Sequence, residues 1–143
     1  MMAGVVIARD IEAALVADLS AIASSLGLDI AFSGTPVSPD LGRGQSLPYV
    51  VLSLVGGDRR SVVVDERQLV ADVYDATWSD AAHAAGLVVG LLTSLPMRSD
   101  TSTHWPDVRI DTLPYELPDT GEPGIPRMRM LVTAITRGDL VAL

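Results

Sequence analysis

Residues 49–74 read YVVLSLVGGDRRSVVVDERQLVADVY, and this stretch decides the fold. It is rich in β-branched residues and is interrupted by glycines and charged residues, a pattern typical of short strands joined by turns. It predicts an antiparallel meander of three strands, at 49–55, 61–65 and 68–74. In the last of these strands every second residue is apolar: Leu69, Ala71 and Val73. One face of the sheet is therefore predicted to be dry and the other mixed.

A helix is predicted on the N-terminal side of this meander. Apolar residues recur there at every third or fourth position, which places them on one helical face: Ile11, Leu15, Leu19, Ile22 and Leu26. Asp10 is predicted to cap the first turn, and Gly27 is predicted to end the helix.

A second helix is predicted after the meander, from a cap at Ser79 or Asp80 to Leu95. Nearly all of its faces are apolar, so we expect it to be covered on most sides, by its own sheet and by another chain. Gly86 and Gly90 are predicted to let this helix approach the sheet closely.

Two further strands are predicted, at about 108–117 and 127–136, which gives the element order α-β-β-β-α-β-β. The predicted fold class is α+β, with a mostly antiparallel sheet packed against two helices. A length of 143 residues fits one domain, spanning residues 1–143. The stretches at about 33–48 and 118–126 are rich in turn-forming residues and are predicted to be mobile loops outside the core.

The composition narrows the possible functions. The chain has no cysteine, which excludes disulfides and thiolate nucleophiles, and its net charge of −8 disfavours sequence-specific DNA binding. Its first eight residues lack the basic segment of a signal peptide, and the apolar run 81–95 is shorter than the roughly 20 residues that a membrane span needs. We therefore expect neither secretion by that route nor a membrane partner.

No catalytic or metal-binding motif stands out in the sequence. His83 and His104 are 21 residues apart and no spacing suggests a third ligand, so we predict no metal site. Carboxylates gather at 65–66, Asp72 and Asp75, where strand-end acids are ordinarily solvated. We predict no catalytic residue and no cofactor, and we expect a structural subunit rather than an enzyme.

The candidate site is a subunit-interface loop between the first two predicted strands. It consists of Gly56, Gly57, Asp58, Arg59 and Arg60. Two adjacent arginines at the tip of a hairpin are either a solvated turn or a contact to an acidic neighbour. Both interpretations follow from the sequence.

Four segments of the chain carry a family resemblance: RDIE at 9–12, LPYVVLSLVGG at 47–57, VVDERQLVADVYDA at 63–76, and the Ala-rich second helix. Together they are similar to the tail terminator (tail completion) proteins of long-tailed actinobacterial phages, over most of the chain. In that family a strand ending in Val-Gly-Gly is followed by a turn, another strand and a helix with Ala and Leu repeats. Gln68 stands here where the family often has proline, and Tyr74-Asp75-Ala76 stands where a Trp-Ala pair is expected.

The resemblance implies a structural virion protein that caps the tail tube as a ring homo-oligomer, expected to be a hexamer. Such a ring ends tube polymerisation and provides the head-tail joining surface. The implied partners are other copies of the chain, the tail tube protein and a neck or head-completion protein, with DNA passing through the pore without specific binding. The implied location is the head-proximal end of the virion tail, after assembly in the cytoplasm of a bacterial host.

Two alternatives stay open at the level of sequence. A head-completion or neck connector of the same virion would also be small, α/β and ring-forming. A small-ligand-binding or enzymatic α/β domain of the host would instead show a pocket with convergent polar groups, and would be a monomer or dimer in solution.

Overall fold

The computed structural model describes residues 4–34, 48–117 and 125–142. The helices in these ranges are α1 (Ile11–Ser25) and α2 (Trp78–Ser94), and α2 runs into a 3-10 turn at Leu95–Met97. The strands in these ranges are β1 (Gly4–Ile7), β2 (Ala31–Ser33), β3 (Tyr49–Arg59), β4 (Val64–Tyr74), β5 (Asp107–Glu116), β6 (Arg127–Arg137) and β7 (Asp139–Ala142). The predicted loop residues 35–47 and 118–124 lie outside the described ranges.

The main sheet has five strands in the order β2-β3-β4-β6-β5, and β1 pairs with β7 in a separate two-stranded ribbon. Every described pair is antiparallel except β2 with β3. The predicted α+β class, with two helices and a mostly antiparallel sheet, is confirmed.

The prediction of three strands in the meander is wrong, because residues 49–74 form two strands. Residues 64–74 form one continuous strand, β4, which pairs with β3 as a single long hairpin. Glu66 and Arg67, predicted as a turn, pair with Asp58 and Gly57 inside this hairpin. The short strands β1, β2 and β7 had no clear signal in the sequence. Their pairing partners are distant in the chain, and tertiary context decides such segments.

Both helices pack on the same face of the main sheet, where the apolar core lies. The core includes the predicted inward residues Leu69, Ala71 and Val73, each at most 1% exposed. The alternation also holds in β6, where the buried inward side chains are Met128, Met130, Val132 and Ala134. The opposite face carries the ion pair of Asp72 with Arg129, at 2.8 Å, as expected for a mixed face.

The predicted ends of α1 are confirmed. Asp10 Oδ1 accepts a hydrogen bond from the Ala13 amide at 3.2 Å and caps the first turn. Gly27 has φ +71°, and the Leu28 amide donates to the Ala23 carbonyl at 2.8 Å. This is the Schellman arrangement, in which a glycine in the left-handed region closes a helix.

The predicted start of α2 is wrong by a short distance. The cap is Thr77, whose Oγ1 accepts a hydrogen bond from the Asp80 amide at 3.1 Å, so the helix begins at Trp78 rather than after Ser79 or Asp80. Ser, Thr and Asp are all good caps, and the extended backbone at Thr77 decides among them.

The segment Trp78–Met97 spans 20 residues with a mean hydropathy of 1.2, and is long and apolar enough to cross a membrane by length and composition. The apolar run 81–95, which was predicted to be too short to span a membrane, is therefore part of a longer helical segment in the structure. About 39% of it is buried inside the protein, because its inner side chains form part of the core. A core helix of a globular domain has the same properties.

The outer face of α2 carries both of its glycines. An added Cβ would meet nothing within 4 Å at Gly86 or at Gly90. The prediction that these glycines allow close approach to the sheet is therefore wrong, because the residues that contact the core are Ala81, Ala84, Ala85 and Val88.

We expect Gly86→Ala and Gly90→Ala each to raise the free energy of unfolding by about 0.5–1 kcal/mol. Alanine fits both positions without a clash and restricts the unfolded chain more than glycine does. Urea unfolding of each variant and of the double variant measures the effect. A loss of stability in both variants would contradict the exposed placement of this face.

Candidate assembly surface

The predicted interface residues lie at the end of the β3–β4 hairpin, which we call the hairpin end (residues 55–68). Gly56 to Arg59 belong to strand β3 and pair with Asp65 to Gln68, so the prediction of a loop at these positions is wrong. The chain reverses only after Arg59, where the Arg60 amide donates to the Val64 carbonyl at 2.9 Å. The Gly-Gly pair, which suggested a turn, instead marks an irregularity within the strand.

This irregularity is a β-bulge at Val55. Leu54 pairs with Leu69 and Gly56 pairs with Gln68, so Val55 is an extra residue in β3. Gly56 and Gly57 have φ values of +146° and +133°. Residues with a Cβ rarely adopt such a backbone conformation. A Cβ on Gly57 would also lie 2.0 Å from the Glu66 carbonyl oxygen. The bulge therefore depends on glycine at position 57.

Arg59 ties the hairpin end to the N-terminal strand. Its guanidinium donates to both carboxylate oxygens of Asp65, at 2.7 and 3.1 Å, and to the Val6 carbonyl at 2.8 Å. The hydrogen bond from Arg59 lowers the pKa of the Asp65 carboxyl and outweighs the opposing effect of burial. This bidentate pairing stabilises the ionised form of Asp65 and occupies both of its oxygens. A carboxylate held in this way is unsuited to act as a general base.

Arg60 lies on the other face of the hairpin end and pairs with Glu66. Its Nε donates to Glu66 Oε2 at 2.6 Å, and Arg109 donates to Glu66 Oε1 at 3.0 Å. The pKa of Glu66 is lowered, first by the hydrogen bond from Arg60. The Arg60 side chain is nevertheless 54% exposed, so its charge remains accessible to a neighbouring molecule.

The β1–β7 ribbon packs beside the hairpin end. Arg9 forms an ion pair with Asp139 at 2.7 Å, and the Gly138 amide donates to the Val63 carbonyl at 3.0 Å. Apolar side chains are exposed on this part of the molecule, among them Val62 and Leu140. An exposed apolar surface rimmed by charged groups is typical of a protein–protein contact.

A shallow depression of about 310 Å³ opens at the base of the hairpin end. Its lining is Ala8, Gly56, Gly57, Asp58, Arg59, Asp65 and Arg67. The structure thus brings four of the five predicted interface residues to one concave surface, together with Asp65 and Arg67 from the neighbouring strand. Within this lining the Asp65 carboxylate is engaged by Arg59.

Of the other titratable residues considered from the sequence, Asp72 and His104 lie outside this depression, whereas Asp75 and His83 line a separate concave surface. Asp72 accepts hydrogen bonds from Arg129 at 2.8 and 2.9 Å, and His104 is exposed in the linker before β5. Within residues 4–34, 48–117 and 125–142, no group of three or more metal-ligating side chains is close enough to hold an ion.

A second concave surface lies at the other end of the hairpin, and we call it the acidic groove. Its lining is Leu28, Asp29, Ile30, Pro48, Asp75, Asp80, His83, Ala84 and Leu87. Sequence reasoning missed it because it joins the loop after α1, the residue before β3, the end of β4 and the first turns of α2. No local motif links segments so far apart in the chain.

A buried carboxylate at Asp18 holds the linker between α2 and β5. Asp18 Oδ1 accepts from the Ser102 amide and hydroxyl at 2.8 and 2.7 Å. Its Oδ2 accepts from the Thr103 amide at 3.2 Å and from Trp105 Nε1 at 2.8 Å. Burial raises the pKa of Asp18, but these hydrogen bonds together outweigh it and leave the pKa below its usual value. The role of Asp18 is therefore to fix the linker.

Comparison with known proteins shows a similarity of fold. No protein-family model matches the chain, and no curated protein matches its sequence. Among solved structures, a chain of the virion of a native gene transfer agent particle is similar, with a TM-score of 0.55 at 16% identity. The match covers 92% of this chain and 100% of that one. The chain therefore has a fold similar to that of a component of a gene transfer agent virion.

Proposed function

We propose that this chain is a structural protein of a phage-type virion, and that it caps the tail tube as a ring. In this role it ends polymerisation of the tube and offers the surface that joins the tail to the head. The observation that carries the proposal is the fold similarity to a virion chain, which spans 92% of this chain and the whole of the other. The resemblance of residues 9–12, 47–57 and 63–76 to tail terminators supports the finer assignment.

The surface of the molecule is consistent with an assembly role. Exposed apolar residues and ion-paired arginines occur together at the hairpin end, and an apolar groove rimmed by carboxylates lies at the opposite end. Each surface joins apolar and charged groups, as protein interfaces do. The net charge of −8 would also repel the DNA backbone, which suits a pore through which DNA passes without being held.

We expect a virus that lacks this protein to make abnormally long tails, because nothing would stop the tube from growing. Electron microscopy of lysates measures the distribution of tail lengths, and supplying the protein from a plasmid should restore the normal length. Tails of normal length, detached from filled heads, would instead identify a head-completion or neck connector.

A second experiment mixes purified protein with purified tail tubes and images the tube ends by electron microscopy. A ring with a central hole at one end of each tube would support the cap. Tubes with bare ends at saturating protein concentration would argue against it, and would favour either the neck connector or a host domain.

A further inference from the structure

The acidic groove has an apolar floor that is large enough for aliphatic side chains. Leu28, Ile30, Ala84 and Leu87 line it, and its volume is about 260 Å³. A cavity of roughly 150 Å³ already accepts a benzene molecule. Two valine side chains are therefore of suitable size for this groove.

The rim of the groove is negatively charged. Asp29, Asp75 and Asp80 lie around it, and none of the three takes part in an ion pair within the described part of the chain. Asp29 and Asp80 are exposed, and Asp75 accepts a hydrogen bond from the amide of Ala76. A ligand for this groove should combine an apolar centre with positive charge at its sides.

The tip of the hairpin end has these properties. Val62 and Val63 are 70% and 47% exposed, which is unusual for adjacent aliphatic residues. Arg60 lies just before them, and Arg137 pairs in register with Val64, just after them. Arg137 is exposed and forms no ion pair with any described residue. An apolar tip flanked by arginines thus complements an apolar groove flanked by carboxylates.

The tip cannot reach the groove of its own chain. Strands β3 and β4 are 11 residues long, and the tip and the groove lie at opposite ends of them. At about 3.3 Å per residue, they are separated by roughly 33 Å. The complementary surfaces can therefore meet only between two copies.

We propose that the tip of one subunit, residues 60–63 with Arg137, inserts into the acidic groove of the next subunit. Such a contact uses different surfaces on its two sides and leaves one tip and one groove free after each addition. Repeated around an axis, a contact of this kind closes into a ring when the rotation between subunits allows it. The inference deepens the proposed function, because it names the contact by which the proposed cap would form.

Disulfide trapping tests this contact directly, because the chain has no cysteine of its own. Two single variants, Val62→Cys at the tip and Leu87→Cys in the groove, are mixed with each other under mild oxidation. The mixture is tested once without tail tubes and once with them. We expect a covalent dimer of the two, in at least tenfold higher yield than from Val62→Cys mixed with Met97→Cys. Met97 is a suitable control because it is 85% exposed but lies outside the groove.

A second groove variant, Asp80→Cys on the exposed rim, guards against a folding defect at half-buried Leu87. Equal yields with groove and control positions, or dimers of Val62→Cys with itself in preference, would overturn the inference. Tubes capped by a ring that shows no tip-to-groove cross-link would reject this contact and leave the proposed function standing. Cross-linked chains that ignore tail tubes would support the contact and count against the tube-capping function.

Discussion

Replacing Asp18 with alanine is expected to lower the free energy of unfolding by about 4 kcal/mol. The substitution removes the acceptor for four donors, two from Ser102 and one each from Thr103 and Trp105. Trp105 is 1% exposed, so its indole N–H would be left without a partner in the interior. Urea unfolding followed by tryptophan fluorescence measures the loss.

Two further variants make this test specific. Asp18→Asn keeps the shape of the side chain but turns one acceptor oxygen into a donor, which then faces another donor. It should therefore also destabilise the protein, although by less than alanine. Asp58→Asn serves as a control, because Asp58 is exposed and forms no ion pair with the residues described; its effect should stay within about 0.5 kcal/mol. Equal effects of Asp18→Ala and Asp58→Asn would contradict the role of Asp18.

The contribution of Asp18 should also depend on pH. Its pKa in the folded protein lies below the usual value, so its stabilising effect is fully present above the pKa of the unfolded chain. The effect is lost as the pH falls below about 4 and then through the folded pKa. The difference in stability between the wild-type protein and Asp18→Ala should therefore narrow on acidification.

Replacing Gly57 with alanine is expected to open the hairpin end. The added Cβ would lie 2.0 Å from the Glu66 carbonyl oxygen and 2.9 Å from the Arg67 Cα, so the two strands must separate locally. The backbone at φ +133° adds further strain. We expect a loss of at least about 3 kcal/mol in the stability of this region, measured by amide hydrogen exchange between residues 58 and 66.

Gly56→Ala is the matched control for this prediction. Gly56 has a similar φ of +146°, but an added Cβ there would meet nothing within 4 Å. Strain alone should cost about 1–2 kcal/mol. The difference in local stability between the two variants measures the cost of the clash with Glu66. Similar exchange rates in both variants would show that the strands separate at little cost.

The sequence predicted well those elements whose own residues carry a strong period. Helix α1 has an apolar residue at every third or fourth position, a capping aspartate and a closing glycine, and all three features lie where they were expected. In strand β4 the alternate residues Leu69, Ala71 and Val73 pack in the core, as their spacing predicted. These signals are local, so no knowledge of distant partners was needed.

The hairpin end and the Asp18 contacts were harder to predict from the sequence. The Gly56-Gly57 pair is a common turn signal, but here it allows a bulge inside a long strand. Asp18 lies on the apolar face of α1 between Leu15 and Ile22, and this position was the available sign that it is buried. Its partners at residues 102–105 lie more than 80 positions away, so the sequence alone could not identify them.

The bulge at Val55 also bears on how this protein can diverge. Before Val55 in the chain, the odd-numbered residues of β3 lie on the face away from the helices. After Val55, Gly57 and Arg59 lie on the face towards the helices, because one extra residue shifts the alternation. Because β4 continues unbroken past the bulge, deleting Val55 would leave the pairs of Leu54 with Leu69 and of Gly56 with Gln68 in place, so both faces of the hairpin end and the register of the core would be kept. Position 55 is therefore a place where the chain length can vary by one residue during evolution while the surface of the hairpin end is conserved.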